Sequence, residues 1–142
     1  MTQPKSLIIN SPFERPTHHW RRVSDQRLEL VEGRRPAGYE IFDTRNNTVR
    51  SVELELVNRI RERVDEWRDA GYPGVTAVTR ALLEYWRDPE ANRPYGFYFC
   101  QLEAIETLIW HVEAPAEFRQ GIFVPGDGGP FERLCNKMAT GS

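Results

Sequence analysis

Between Val57 and Val112 the apolar residues return at helical intervals three times over, and each run is stopped by glycine or proline. Val57, Ile60, Val64 and Trp67 fall at i, i+3, i+7 and i+10, with Arg59, Arg61, Glu62, Arg63, Asp65 and Glu66 between them. That spacing places one apolar face against a core and leaves the charges in water. Gly71 followed by Pro73 supplies the stop. A second helix is predicted from about Val75 to Arg87, with Val75, Val78, Leu82 and Trp86 on its inner face and Asp88-Pro89 ending it. A third is predicted from about Phe99 to Val112, with Leu102, Ile105, Ile109 and Val112 inward and Ala114-Pro115 closing it. Trp67, Trp86 and Trp110 lie on or near these apolar sides and read as core.

The flanks follow other rules. Ser6 to Asn10 reads as a short strand, after which Pro12 and Pro16 force extended or turn geometry through Phe13 to Trp20. Leu28 to Glu32 alternates with period two, and Gly33, Pro36 and Gly38 then mark a loop. Tyr39 to Asp43 is a further candidate strand, ended by the turn-forming pair Asn46-Asn47. Gly121 to Pro130 holds four glycines and two prolines in ten residues and reads as a loop. It leads into a possible short strand at Phe131 to Met138. The fold class that follows is α+β.

A chain of 142 residues allows one domain burying roughly two thirds of its unfolded surface. At 39% hydrophobic and 28% charged it lies far from disordered compositions, and it holds no apolar run of the ~18 residues a membrane span needs. Met1 to Ser11 lacks the basic and apolar regions of a signal peptide. Two cysteines, Cys100 and Cys135, exclude a disulfide framework or a cysteine-built zinc site; they suit a reducing cytoplasm and read as small core residues. The net charge of −2 hides an asymmetry. Residues 1–50 carry nine Lys/Arg against six Asp/Glu, and 17 of the 19 basic residues are Arg. Arginine forks suit phosphate, so this third is a candidate nucleic-acid surface, with ordinary solvated charge as the alternative. Trp20, beside Arg21-Arg22, is its stacking candidate. His18 and His19 are adjacent and do not converge easily on one metal, and Asp127 alone makes no metal site.

Two segments carry chemistry. The first is Arg93-Pro94-Tyr95-Gly96-Phe97-Tyr98-Phe99-Cys100-Gln101-Leu102-Glu103-Ala104, an aromatic cluster leading into a Gln at the first turn of an amphipathic helix. A Gln amide both donates and accepts, so it can face adenine's exocyclic amine and ring nitrogen together. By itself Gln101 also reads as a solvent-facing first-turn residue. The second is Lys137-Met138-Ala139-Thr140-Gly141-Ser142, the opening of a phosphate-binding loop or, alternatively, a flexible tail.

In this order the two segments resemble the Q motif and Walker A loop of superfamily-two DEAD/DEAH-box helicases, most closely the restriction subunit of type III restriction endonucleases. Asn10 to Pro16 with His18-His19-Trp20, and Glu32 to Tyr39, are similar to segments at the start of such subunits but carry no assigned chemistry. The resemblance implies accessory strands and loops over 1–50, a helical region over 51–92, and the start of a RecA-like ATPase domain over 93–142. That start would hold the Q-motif helix, the first strand of an incomplete RecA-like α/β sheet, and a partial P-loop. It also implies ATP and Mg2+ as cofactors, with Gln101, Phe99, Ala139, Thr140, Gly141 and Ser142 on the nucleotide. Duplex DNA and a modification methyltransferase subunit are the implied partners of a cytoplasmic, membrane-free protein. The implied activity is ATP hydrolysis coupled to movement on duplex DNA, with or without endonuclease action. The P-loop Gly, Lys and Ser/Thr would lie past Ser142, so the chain alone is expected to be inactive. No Asp-x-n-Glu-x-Lys nuclease pattern is present. A small non-enzymatic helical module binding nucleic acid or a partner protein is the alternative.

Overall fold

The computed structural model describes residues 8–24, 27–88, 90, 96–126, 128–130, 134 and 136. It is α+β and divides into two compact units, Met1–Leu54 and Glu55–Ser142. The first holds strands β1 (His18–Ser24), β2 (Arg27–Glu32), β3 (Gly38–Asp43) and β4 (Thr48–Glu53). They form two separate antiparallel hairpins, β1 with β2 and β3 with β4. Trp20 pairs with Leu30 and Arg22 with Leu28, and the register shifts between Arg22 and Ser24. In the second hairpin Tyr39 faces Val52 and Glu40 faces Ser51.

Local chemistry explains these turns. Asp43 accepts hydrogen bonds from the Arg45 backbone N–H (2.9 Å) and from Asn46 Nδ2 (3.0 Å), and Asn47 takes a positive φ of 51°. This fulfils the turn expected at Asn46-Asn47. Asn10 belongs to no strand. Its side chain instead bridges the Pro12–Pro16 bend, donating to the His18 carbonyl (2.8 Å) and accepting from the Thr17 N–H (3.2 Å). Ile8 and Ile9 belong to no strand either, and Ser6 and Leu7, the remainder of the strand expected at Ser6–Asn10, lie outside the described residues. Strands β1 and β4 were not visible in the sequence, because neither holds a clean period-two run of apolar residues.

The second unit holds α1 (Glu55–Asp69), α2 (Ala77–Arg87), α3 (Phe99–Glu113) and the short α4 (Ala116–Arg119). Its core is Val64, Trp67, Tyr72, Leu83, Trp110 and Ala114, with Ile60, Val75, Trp86, Ile109, Phe118 and Ile122 packed around them. Helix α1 ends as expected at Gly71, whose φ is +86°. The Tyr72 N–H reaches the Trp67 carbonyl and the Gly71 N–H reaches that of Arg68, both at 3.0 Å, the paired closure of a Schellman turn. Thr76 caps α2, its hydroxyl accepting from the Thr79 N–H at 3.2 Å.

Three expected helix faces need correction, and on α1 it is slight: Val57 is exposed while Val64 and Trp67 are buried. Helix α2 buries Leu83, flanked by Val75 and Trp86, whereas Val78 is 71% exposed and Leu82 is exposed too. Helix α3 buries Glu103, Glu106 and Trp110, while Val112 is 68% exposed. The inner face of α3 is therefore partly acidic. Apolar periodicity could not find it, because the inward carboxylates meet arginines of α1. Cys100 is exposed rather than a core residue. Of the strand expected at Phe131–Met138 only Leu134 and Asn136 are described, and neither belongs to a strand.

Candidate functional site

The site is built on the first turn of α3. Tyr98 is its N-cap, in extended conformation, and its carbonyl receives the first helical hydrogen bond from the Leu102 N–H at 3.0 Å. Gln101 sits at the third helical position and its Oε1 accepts from the Tyr98 N–H at 3.0 Å. This is the glutamine half of a capping box. It satisfies one orphan donor of the helix end and fixes the amide's rotamer. The amide Nε2 has no partner among the described residues, and Oε1 keeps a second lone pair. The capped Gln101 thus still presents one acceptor and one donor side by side.

The aromatic residues before it are held from below. The Phe97 ring packs edge-on against Trp86, with centroids 5.9 Å apart. Phe99 is half-buried, with the Arg68 guanidinium 5.8 Å from its ring centroid, within cation–π range. Arg68 is also the hub of the unit's buried charge. Its Nε donates to Glu106 Oε2 (2.8 Å), its Nη2 to Glu106 Oε1 (2.9 Å) and its Nη1 to Asp65 Oδ1 (2.6 Å). The fork-on-carboxylate pair is bidentate, the strongest geometry an arginine offers. The Tyr72 hydroxyl donates to Glu106 as well, and Arg87 lies 5.5 Å from the Tyr72 ring centroid. Glu103 lies 3.8 Å from Arg61 and 4.0 Å from Arg68.

Glu106 is fully buried. Burial works against the charge of Arg68, but hydrogen bonds and attraction from Glu106 and Asp65 outweigh it and raise its pKa. Burial first, and then the Glu106 carboxylate, push the Tyr72 hydroxyl well above its ordinary range. The network ties α1 to α3 beneath the turn that carries Phe99 and Gln101. The sequence carried one signal of it that periodicity passes over: two carboxylates three residues apart, Glu103 and Glu106, in the middle of a mostly apolar helix.

Of the expected nucleotide-binding residues, the structure sets Phe99 and Gln101 on one helical turn. Ala139, Thr140, Gly141 and Ser142 lie outside the described residues. Just ahead of them, Asn136 Nδ2 donates to the Ala104 carbonyl at 3.3 Å. Ala104 is three residues from Gln101, so Asn136 lies beside the first turns of α3. Gln101 keeps one donor and one acceptor side by side at the first turn of α3. Among the described residues no three His, Cys, Asp or Glu side chains cluster to hold a metal ion. No helix among them is long and apolar enough to cross a membrane. Comparison with protein-family models, with curated proteins and with solved structures gives no match.

Proposed function

We propose that the chain is the N-terminal part of an ATP-dependent DNA helicase or translocase of the type III restriction-subunit kind. In this reading Gln101 selects adenine, Phe99 stands beside it, and Ala139, Thr140, Gly141 and Ser142 open the phosphate-binding loop. ATP hydrolysis, with Mg2+ on the phosphates, drives movement along duplex DNA in the cytoplasm, with a methyltransferase subunit as the second partner.

The observation that carries this reading is the Asn136–Ala104 hydrogen bond. It sets Asn136, three residues before Ala139, beside the helix bearing Gln101, which supports the reading that one nucleotide spans both segments. A second feature agrees with it. Helix α3 leaves the apolar residues Leu108 and Val112 exposed while its other side is packed on α1. A helix apolar on both sides is suited to burial within a larger protein.

The encoding frame tests the proposal most cheaply. Continuation past codon 142 as Gly-Lys-Thr, followed by an apolar helix, is expected. A natural stop there would overturn the proposal and favour a non-enzymatic helical module. The 142-residue chain by itself is expected to turn over no ATP, and measurable turnover would contradict the proposed division of the phosphate loop. In the protein extended to its natural end, Gln101→Ala is expected to raise the ATP concentration needed for half-maximal turnover.

A further inference from the structure

The first unit contains a cleft that the nucleotide-binding reading leaves unused. It has a volume of about 810 Å³ and lies between the two hairpins. Its walls bring together two residue types. Arg21 and Arg22 come from β1, and Arg34 and Arg35 from the segment joining the hairpins; Trp20 and Tyr39 add aromatic rings. The strand register puts Trp20 and Arg22 on one face of their hairpin, since alternate residues share a face. Tyr39 is exposed and Trp20 half-buried, so ring surface is open to a ligand on this side.

Arg21, Arg22 and Arg35 each pair with a glutamate at the surface. Glu40 is 3.2 Å from Arg35 and 3.9 Å from Arg22, bridging the two walls, and Arg21 pairs with Glu29 at 2.8 Å on the surface. Exposed pairs of this kind contribute little, so a phosphate can replace the carboxylate at small cost. Glu40 then acts as a stand-in anion that keeps two guanidinium forks aimed into the cleft.

We infer that this cleft binds single-stranded DNA, with the arginines on backbone phosphates and Trp20 and Tyr39 stacked on bases. Guanidinium groups beside aromatic rings are the combination by which proteins take unpaired strands. A duplex keeps its bases stacked inside and would leave both rings unused, and an acidic peptide would use the charges alone. The choice of DNA rests on the proposed helicase function. The two claims fail separately, because cleft binding is measured without nucleoside triphosphate and the ATP-over-GTP preference is measured without DNA.

The test uses the whole 142-residue chain and a fluorescein-labelled dT12 oligonucleotide, read by anisotropy at 50 and 200 mM salt. Saturable binding that weakens with salt is expected. The double variant Arg22→Ser/Arg35→Ser should lose at least tenfold in affinity and show a shallower salt dependence. Trp20→Leu should lose roughly five- to hundredfold, the worth of one stacked base. Glu40→Gln should gain several-fold. The same charge change outside the cleft, Glu14→Gln, should leave affinity unchanged, so a gain confined to Glu40→Gln decides the matter even where an arginine variant loses structure. Absence of dT12 binding, unchanged affinity in these variants, equal or tighter binding of a 12-base-pair duplex, or tighter binding of rU12 would each overturn the assignment.

Discussion

Arg68 and Glu106 set what the helical unit tolerates at the scale of single residues. A fully buried carboxylate is stable only while its counter-charge remains, so removing one partner costs more than removing both. Arg68→Met is expected to destabilise the unit by about 3–5 kcal/mol in urea denaturation. Adding Glu106→Leu should return most of that loss, and a double variant as unstable as the single one would refute the pairing. Tyr72 supplies a pH dependence. Its folded pKa is raised above the ordinary value of 10, so the folded state holds the proton more tightly. The stability this contributes is complete below pH 10 and is lost as pH rises above it. Melting temperature is therefore expected to fall between pH 10 and 11, and more steeply in the native chain than in Tyr72→Phe. None of these roles could be read from spacing, because Arg68 and Glu106 stand 38 positions apart and only folding brings them together.

At the scale of elements, the three main helices were legible because glycine, proline and polar caps mark their ends. The Gly71 turn and the Thr76 cap act where the sequence placed the boundaries. Their inward faces were less legible. Counting apolar residues assigns α3 a stripe through Leu102, Ile105, Ile109 and Val112, yet the helix turns Glu103 and Glu106 inward to meet arginine. Helix α2 is rotated from its expected stripe in the same way, burying Leu83. Leu83→Ala is expected to cost about 2–5 kcal/mol, as for other fully buried leucines. Val78→Ala, at an exposed position, should change stability by less than about 0.5 kcal/mol. A larger loss at Val78 than at Leu83 in thermal melts would restore the face that periodicity suggests. Strands β1 and β4 escaped for a related reason: arginines, a threonine and a serine occupy positions that a clean alternation would give to apolar residues.

The whole molecule joins two units of unequal solidity. Among the described hydrophobic residues of Met1–Leu54 only Ala37 is buried, while Leu28, Leu30, Tyr39, Ile41 and Phe42 are exposed. Isolated two-stranded hairpins are marginal in water, so these amides are expected to exchange rapidly. The amides of α1 and α3, over the tryptophan core, should be strongly protected. Hydrogen exchange on the full chain measures both, and equal protection across the units would contradict this division. The candidate site was legible at Phe99 and Gln101, where a short motif sits on a single turn, but not in the arginine network below, which is assembled from distant sequence. Its central claim is that Gln101 reads adenine, and Gln101→Ala tests that claim by removing both the acceptor for adenine's exocyclic amine and the donor for its ring nitrogen. The substitution also removes the acceptor that caps Tyr98, so a small drop in melting temperature is expected beside the effect on selectivity. With the protein extended to its natural end, the ATP-over-GTP preference in turnover is expected to fall about tenfold or more in Gln101→Ala. An unchanged preference would contradict the assignment.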